Sequence, residues 1–212
     1  MTNARVAGPT LVVDDLAVKR GGRLVLDGVG VSVAAGEIVG VIGANGAGKS
    51  TLLAVIAGVL GRARGLVTID GHAVATVPAQ RLLGYVPEAA NPPGHLTGEE
   101  VVALVAAVKA AALDGEVARA LAIDELRAQR VDRMSLGQRR RTCIAAALVG
   151  APRLLVLDEP SNGLDPTGVD VLRGLLLARA AAGAAIILAS HDLELLDALG
   201  ARRLRLGAGK VE

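Results

Sequence analysis

The stretch GANGAGKST, from Gly43 to Thr51, has the residue types needed to bind phosphate groups. It fits the pattern G-x-x-x-x-G-K-[ST], with a strand-like run before it and a helix-like run after it. Glycines let consecutive backbone amides converge on phosphate oxygens, and the N-terminus of the following helix adds positive charge. Lys49 is predicted to reach the β- and γ-phosphates of a nucleoside triphosphate, and Ser50 to bind Mg²⁺. The predicted nucleotide-binding residues of this loop are Gly43, Asn45, Gly46, Ala47, Gly48, Lys49, Ser50 and Thr51.

Two carboxylates, Asp158 and Glu159, come directly after the apolar run LLVL. Such a run is typical of a strand buried in a parallel sheet, and ligands bind beyond the carboxyl ends of such strands. Asp158 is therefore predicted to hold the Mg²⁺ shell, and Glu159 to accept a proton from an attacking water. His191 follows the next buried run, AAIILAS. A lone histidine is more often structural, but its place at the same sheet edge favours a catalytic role.

The composition argues against nucleic-acid binding. The chain has one Tyr and no Phe or Trp, so aromatic platforms for stacking bases are nearly absent. Its 23 Lys and Arg residues and 21 Asp and Glu residues give a net charge of +2, far from a strongly basic balance. The densest basic run, from Arg139 to Arg141, is predicted to be a solvated helix face. We therefore expect no nucleic-acid partner.

Cysteine usage and hydropathy predict a cytosolic protein. Cys143 is the single cysteine, which excludes a disulfide within the chain and fits a reducing compartment. The first twenty residues lack the basic-then-apolar pattern of a signal peptide. The longest apolar stretches are interrupted by Lys109 and Arg179, so neither has the ~20 clean apolar residues of a membrane span.

Apolar patterning predicts an α/β chain with one helical insertion. Residues 11–42 are predicted to form short strands, and a helix is predicted from the phosphate loop to about residue 58. Further strands are predicted at LVTIDG and RLLGYV, before the Pro- and Gly-rich stretch GYVPEAANPPGHLTGEE. After Pro152 the α/β pattern returns, with LLVL and AAIILAS as buried strands, VDVLRGLLLARAA and DLELLDAL as helices, and RRLRL with KVE as a terminal hairpin.

The segment from Thr97 to about Val149 is predicted to be helical. Thr97 and Glu100 have the spacing of a capping box, which predicts a helix start near Gly98. The predicted helical insert, of about 60 residues in all, interrupts the α/β pattern. The prolines of the stretch that precedes this helix start, Pro87, Pro92 and Pro93, stiffen the connection and prevent a helix from running through it.

Taken together, these motifs resemble the ATPase subunit of an ABC transporter across nearly the whole chain. They occur in the family's order: GANGAGKS, YVPE, MSLGQ, LLVLDEP, SNGLD and SHD. The most discriminating is MSLGQ at residues 134–138, which is similar to the family's LSGGQ signature, with Ser135 lying 23 residues before Asp158. A GTPase is disfavoured, because no Asn in the chain is followed by Lys.

The resemblance implies a single ABC ATPase domain over residues 1–212. Residues 1–88 and 151–212 would form a RecA-like parallel-sheet core with an N-terminal antiparallel β-subdomain, and about 89–150 a helical subdomain. Two such subunits, identical or different, would dimerise head to tail around ATP and Mg²⁺. The helical subdomain would receive helices of an integral membrane permease subunit, placing the chain on the cytoplasmic face of the cell membrane.

Residue roles also follow from the resemblance. Ser135 and Gly137 would contact the γ-phosphate of the ATP bound to the partner subunit, and the amide of Gln138 would lie at the same helix start. Asp165 and Ser161 would lie along the dimer seam. Glu159 would be the general base, His191 the residue that senses the γ-phosphate, and Lys49 a catalytic cation.

Three departures from the family pattern bear on function. The signature begins with Met134 and has Leu136 where glycine is usual. Arg20 stands where the family usually has an aromatic residue that stacks on adenine; a guanidinium can also stack on a base. Glu88 replaces the family's glutamine. Its carboxylate can ligate Mg²⁺ together with Ser50 and Asp158, but it cannot donate a hydrogen bond when ionised.

The leading hypothesis is an ATP-driven subunit that moves substrate through a separate membrane protein, with export favoured by the GYVPE form and the compact chain. The alternative is a soluble scaffold or regulatory ABC ATPase without a transport role, such as the iron–sulfur assembly ATPase. A third possibility is a catalytically weak partner in a heterodimer. The full set of Lys49, Asp158, Glu159 and His191 argues against that possibility.

Overall fold

A computed structural model describes residues 8–89 and 91–212. The N-terminal part forms an antiparallel sheet with the strand order β2-β1-β4-β5. Gly21 and Gly22, with φ of 54° and 77°, form the two-residue turn of its first hairpin, a conformation that favours glycine. Its strands are β1 (Leu11–Arg20), β2 (Arg23–Val33), β4 (Arg64–Ile69) and β5 (His72–Ala73).

A second, six-stranded sheet forms the centre of the fold, in the order β10-β9-β3-β8-β7-β6. The strands from β9 to β6 pair in parallel, and β10 pairs antiparallel with β9 as the predicted terminal hairpin. The α/β fold with an antiparallel N-terminal sheet and a parallel core is therefore confirmed. These strands are β3 (Ile38–Ile42), β6 (Leu83–Val86), β7 (Leu154–Asp158), β8 (Ala185–Ala189), β9 (Arg202–Gly207) and β10 (Lys210–Val211).

The two faces of the parallel sheet pack in two hydrophobic clusters. Along β7, Leu154 and Val156 face a cluster shared with the N-terminal sheet, while Leu155 and Leu157 face a cluster shared with the helical insertion. This alternation is the period of two expected of a strand with both faces buried. The parallel sheet is thus packed between two layers, and the carboxyl ends of its strands lie at one edge.

Seven helices and two short 3₁₀ segments complete the described residues 8–89 and 91–212. The capping box predicted at Thr97 is present, since the Glu100 amide donates to Thr97 Oγ1 at 3.2 Å and the Thr97 amide donates to Glu100 Oε2 at 2.8 Å. The helices are α1 (Lys49–Ile56), α2 (Val77–Leu82), α3 (Gly98–Lys109), α4 (Gly115–Ala120), α5 (Leu136–Leu148), α6 (Pro166–Ala181) and α7 (Leu193–Ala198), and the 3₁₀ segments are Ile123–Leu126 and Val131–Arg133. None of these helices is long and apolar enough to cross a membrane.

Two local predictions are wrong. RLLGYV was expected to be a strand throughout, but Arg81 and Leu82 end α2, and the strand begins at Leu83. Pro78 lies in the first turn of α2, a position that favours a helix start. The basic run was expected to be solvated, but Arg140 is 2% exposed, because it lies on the face of α5 that packs against the sheet. The domain boundaries near residues 88 and 151 stay predictions.

Candidate functional site

The phosphate loop connects β3 to α1. Gly46 and Gly48 have φ of 81° and 104°, in the left-handed region that favours glycine. Space demands glycine as well, since a Cβ at Gly48 would lie 2.6 Å from Leu26 Cδ2. The loop therefore turns tightly enough to bring its amides and the first turn of α1 to one point, as an anion site requires.

Lys49 is buried at the start of α1, and its Nζ is held by the loop itself. Nζ donates to the carbonyl oxygens of Gly43 at 2.8 Å and Ala44 at 3.2 Å. Ala47 is also buried, and its amide donates to the Ala44 carbonyl at 3.1 Å. The ammonium group is thus positioned by two neutral acceptors at the edge of the adjoining cavity, where it can contact an anion.

Asp158 ends β7 as a buried carboxylate, 2% exposed. Burial raises its pKa; a hydrogen bond from Ser50 lowers it, the charges of Glu88 and Glu159 raise it, and Lys49 lowers it. Its Oδ1 is buried without a hydrogen-bond partner in the described part of the chain. An unpaired carboxylate oxygen beside a hydroxyl and further carboxylates suits a hard cation.

The fit to Mg²⁺ depends on few protein ligands. No group of three or more His, Cys, Asp or Glu side chains within residues 8–89 and 91–212 is arranged to hold a metal ion. Mg²⁺ at a triphosphate needs only one or two protein oxygens, because phosphate oxygens and water supply the rest. The oxygens of Ser50 and Asp158, with Glu88 close by, meet that requirement.

Glu159 and His191 lie together where β7 and β8 end. Glu159 has a left-handed φ of 47° and is 6% exposed, and its amide donates to the Ala189 carbonyl at 2.9 Å. Its Oε1 lies 3.5 Å from Nε2 of His191, whose amide donates to Glu159 Oε2 at 3.3 Å. One oxygen of the Glu159 carboxylate is therefore held by a backbone amide, while the imidazole, 58% exposed, reaches outward.

A cavity of about 480 Å³ joins most of the predicted nucleotide site. Arg20, at the end of β1, lines this cavity together with the phosphate loop, and its base-stacking role stays a prediction. Val25 of β2 also lines it, a residue that the sequence alone did not indicate. The lining residues are Arg20, Val25, Asn45, Gly46, Gly48, Lys49, Ser50, Thr51, Glu88, Glu159 and His191.

The signature residues line a different cavity, of about 370 Å³. It contains Ser135, Gly137, Gln138 and Asp165, so the structure does not bring them into the first cavity. Ser135 caps α5 in a capping box: the Gln138 amide donates to Ser135 Oγ at 3.2 Å, and Gln138 Oε1 accepts from the Ser135 amide at 2.8 Å. Asp165 Oδ1 caps α6 by accepting from the Gly168 amide at 2.8 Å.

A model of the family described as "ABC transporter" matches residues 26–162, which include the phosphate loop, the signature and both carboxylates after β7. The chain belongs to the ABC transporter family. It is an ATP-binding ATPase domain of that family, as its solved structural neighbours also show.

Curated relatives of this ABC ATPase include import and export proteins. A putative ABC transporter ATP-binding protein of Streptomyces avermitilis is 40% identical over 212 residues, covering 96% of this chain but only 37% of that protein. A hemin import ATP-binding protein of Streptomyces coelicolor is 36% identical, covering 92% and 74%. A lipopolysaccharide export system ATP-binding protein of Haemophilus influenzae is 31% identical, covering 95% and 88%.

Two solved structures match the fold over nearly all of the chain. One, described as the ATP binding subunit of an ABC transporter, has a TM-score of 0.89 at 30% identity, covering 95% of this chain and 88% of the other. The second, described as the dimeric structure of a bacterial ABC transporter cassette, has a TM-score of 0.80 at 25% identity, covering 95% and 96%.

The atypical signature of this ABC ATPase has a local packing partner. Leu136 lies against Gly163 of the SNGLD loop, where a Cβ would come within 2.6 Å of Leu136 Cγ. Gly137 lies against the same loop, because its own Cβ would be 2.6 Å from the Gly163 carbonyl oxygen. The leucine is therefore accommodated by a glycine on the neighbouring loop.

Sequence reasoning missed the role of Arg140. Its guanidinium donates to backbone carbonyls of two loops beside the nucleotide cavity, one of which begins with Pro87 and Glu88. The available signal was helical spacing, because Arg140 stands four residues before Ile144 and eight before Leu148, both buried. A residue on that face of a core helix is expected to be interior even within a basic run.

Proposed function

We propose that this chain binds ATP and hydrolyses it with Mg²⁺, and thereby drives substrate movement by a separate membrane subunit. One observation carries the proposal: Lys49, Glu88, Glu159 and His191 line one cavity beside the phosphate loop. The glycine-rich turn supplies the amides that bind phosphate, and Lys49 supplies a fixed positive charge. The proposed phosphate-loop contacts are those of Gly43, Asn45, Gly46, Ala47, Gly48, Lys49, Ser50 and Thr51.

Metal binding is proposed for Ser50, Asp158 and Glu88. Mg²⁺, when bound, would neutralise charge on the phosphate oxygens. Asp158 has a buried oxygen without a hydrogen-bond partner among the described residues, and interaction with Ser50 lowers the pKa of this carboxyl group. Glu88 stands exposed at the rim of the cavity, where its carboxylate can act from the metal side.

Proton transfer is proposed for Glu159. Its Oε1 is buried without a hydrogen-bond partner in the described residues, while its backbone is fixed between β7 and β8. A carboxylate held in this way at the cavity can take the proton of a water that attacks the γ-phosphate. His191, 3.5 Å from Glu159 Oε1, can bond to the same phosphate and orient the carboxylate.

A head-to-tail dimer is proposed, since the signature residues lie outside the first cavity. Ser135 and Gly137 would contact ATP bound to a second ABC ATPase subunit, with Gln138 at the start of α5 and Asp165 and Ser161 along the seam. The start of α5 lies beside the SNGLD loop, so both elements are available to one partner surface. A solved neighbour described as dimeric supports the formation of a dimer.

A membrane partner is proposed for an apolar groove of about 350 Å³ on the helical insertion. Leu104 and Val108 of α3 line it with Tyr85 of β6, and both aliphatic side chains are more than half exposed. Such a surface suits a helix of the permease with apolar residues at its contact face. Export is proposed as the direction on the GYVPE form of the sequence; relatives include both import and export proteins.

The catalytic proposal is tested by Glu159→Gln. This variant is expected to bind ATP as the wild type does and to form an ATP-dependent dimer, while turnover falls by about 10²–10⁴-fold, the usual contribution of a general base. Phosphate release and size-exclusion chromatography measure the two properties. Lys49→Ala should lose ATP binding or turnover, and Glu194→Gln, an exposed acid on α7, should change neither. Wild-type hydrolysis by Glu159→Gln would refute the assignment.

A further inference from the structure

Arg140 is a buried cation whose bonds in the interior are to backbone oxygens. It lies on α5, one turn after the signature residue Gly137, and is 2% exposed. Nε donates to the Asn162 carbonyl at 3.3 Å, Nη1 to the Pro87 carbonyl at 3.1 Å and Nη2 to the Glu88 carbonyl at 2.7 Å. One guanidinium thus uses its fork of donors on two loops at once.

The two loops are those that carry the acidic side of the nucleotide cavity. Pro87 and Glu88 follow β6 and lead into the helical insertion. Asn162 lies between Glu159 and Asp165, the residue that caps α6. Arg140 therefore joins the signature helix to the metal-side loop and to the loop behind the general base.

The position of Arg140 leaves the Glu88 side chain free. The guanidinium binds the Glu88 carbonyl from the interior, whereas the Glu88 side chain is exposed and lines the cavity. A direct ion pair would have turned the carboxylate inward, away from Ser50 and Asp158. Burial lowers the pKa of Arg140, and the charges of Asp158, Glu88 and Glu159 oppose that shift. The cation is therefore placed close behind three negative groups.

We propose that Arg140 is a positioning residue that fixes the backbone of Glu88 relative to the signature helix, α5. The Glu88 carboxylate then faces the Mg²⁺ side of the ATP site. The proposal rests on the proposed function, because it assigns a support to a residue of that site. A positioning role differs from a purely structural role in one respect: loss of Arg140 must change Mg²⁺-dependent ATP binding by way of Glu88.

The test compares ATP binding with and without Mg²⁺ by isothermal titration calorimetry. In the wild type, Mg²⁺ should tighten ATP binding. Arg140→Gln should leave Mg²⁺-free binding near the wild-type value but reduce the Mg²⁺-dependent gain by about tenfold, as loss of an outer support of a metal ligand does. Arg140→Lys keeps the charge but not the fork, so it should fold well and show a partial loss. Arg119→Gln on α4, an exposed residue, should change nothing.

A double-mutant cycle with Glu88→Gln decides between positioning and stability. If Arg140 acts through Glu88, the double variant should show the same Mg²⁺-dependent gain as Glu88→Gln alone, within about twofold. Independent losses that multiply would overturn the proposal. A lowered melting temperature with an unchanged Mg²⁺ effect, or failure of both Arg140 variants to fold, would also overturn it. If the folded wild type binds no ATP at all, the proposed function itself is wrong.

Discussion

The buried carboxylate of Asp158 is energetically unfavourable, and a bound cation can offset this cost. The carboxyl group is buried, one oxygen has no partner in the described residues, and two neighbouring glutamates raise its pKa further. Glu88 adds to that cost, because it stands where a neutral glutamine is usual in similar ATPases. Each of these features becomes favourable once positive charge enters between the carboxylates. The excess of acid therefore supports the proposed Mg²⁺ site at this cavity.

Glu88→Gln is expected to retain substantial ATPase activity. Glutamine keeps an oxygen ligand for Mg²⁺ and removes one negative charge from beside the triphosphate. The Mg²⁺ concentration at half-maximal rate should rise, because a neutral oxygen binds Mg²⁺ less strongly than a carboxylate. Steady-state phosphate release across a Mg²⁺ series measures both quantities. Glu125→Gln, an exposed acid of the helical insertion, is the control. Complete loss of turnover in Glu88→Gln would instead make the carboxylate indispensable.

The sequence predicted the positions of residues at strand ends better than the position of Arg140, a residue whose side chain holds two loops together. Asp158, Glu159 and His191 were expected at one sheet edge, and the structure places Glu159 and His191 at one cavity with Lys49. The expectation rested on the rule that neighbouring parallel strands end at the same edge of a sheet. Arg140 was misjudged because its neighbours are basic, and only the packing of α5 against the sheet shows which of them is interior. The sequence analysis assigned Asp165 only to the dimer seam and did not predict that its side chain caps α6.

At the scale of elements, α3 links the nucleotide core to the groove proposed for the membrane subunit. The capping box fixes its start at Thr97, as the sequence predicted. Its last residue, Lys109, lines the groove and donates from Nζ to the Val149 carbonyl, beyond the end of α5, at 3.1 Å. The short helix α2 was not predicted because its apolar residues also fit a strand, and the strand that follows it without a break concealed the boundary.

Lys109 makes the stability of the chain depend on alkaline pH. Burial lowers its pKa from 10.5 to about 8, so between these values the unfolded chain binds more protons than the folded one. The free energy of unfolding contributed by this group should therefore rise with pH across that window. Lys109→Met should lack this component. Urea unfolding at about pH 7.5, 9 and 10.5, which span the window between the two pKa values, compares the free energy of unfolding of the two proteins. Parallel pH curves would contradict the prediction.

At the scale of the whole molecule, the fold separates three surfaces. The nucleotide cavity lies at one edge of the parallel sheet, the signature cavity lies beside α5 and α6, and the apolar groove lies between α3 and β6. In the interior, Arg140 of α5 donates hydrogen bonds to the loops that follow β6 and β7. Packed elements therefore connect the three surfaces, which the proposed coupling of ATP hydrolysis to transport would require.

Substitutions in the apolar groove should distinguish a transporter subunit from a soluble ABC ATPase. Leu104→Asp or Val108→Asp should abolish co-purification with an integral membrane protein from gently solubilised membranes, because burial of a charge in an apolar contact is unfavourable. ATP hydrolysis by the isolated variants should stay near the wild-type rate, since both residues lie outside the nucleotide cavity. Leu177→Asp, at another exposed leucine, on α6, is the matched control and should keep the membrane partner. If the wild-type chain is never recovered with a membrane protein, the scaffold or regulatory ATPase becomes the better assignment. If the groove variants retain the partner, the transporter assignment stands and the docking surface lies elsewhere.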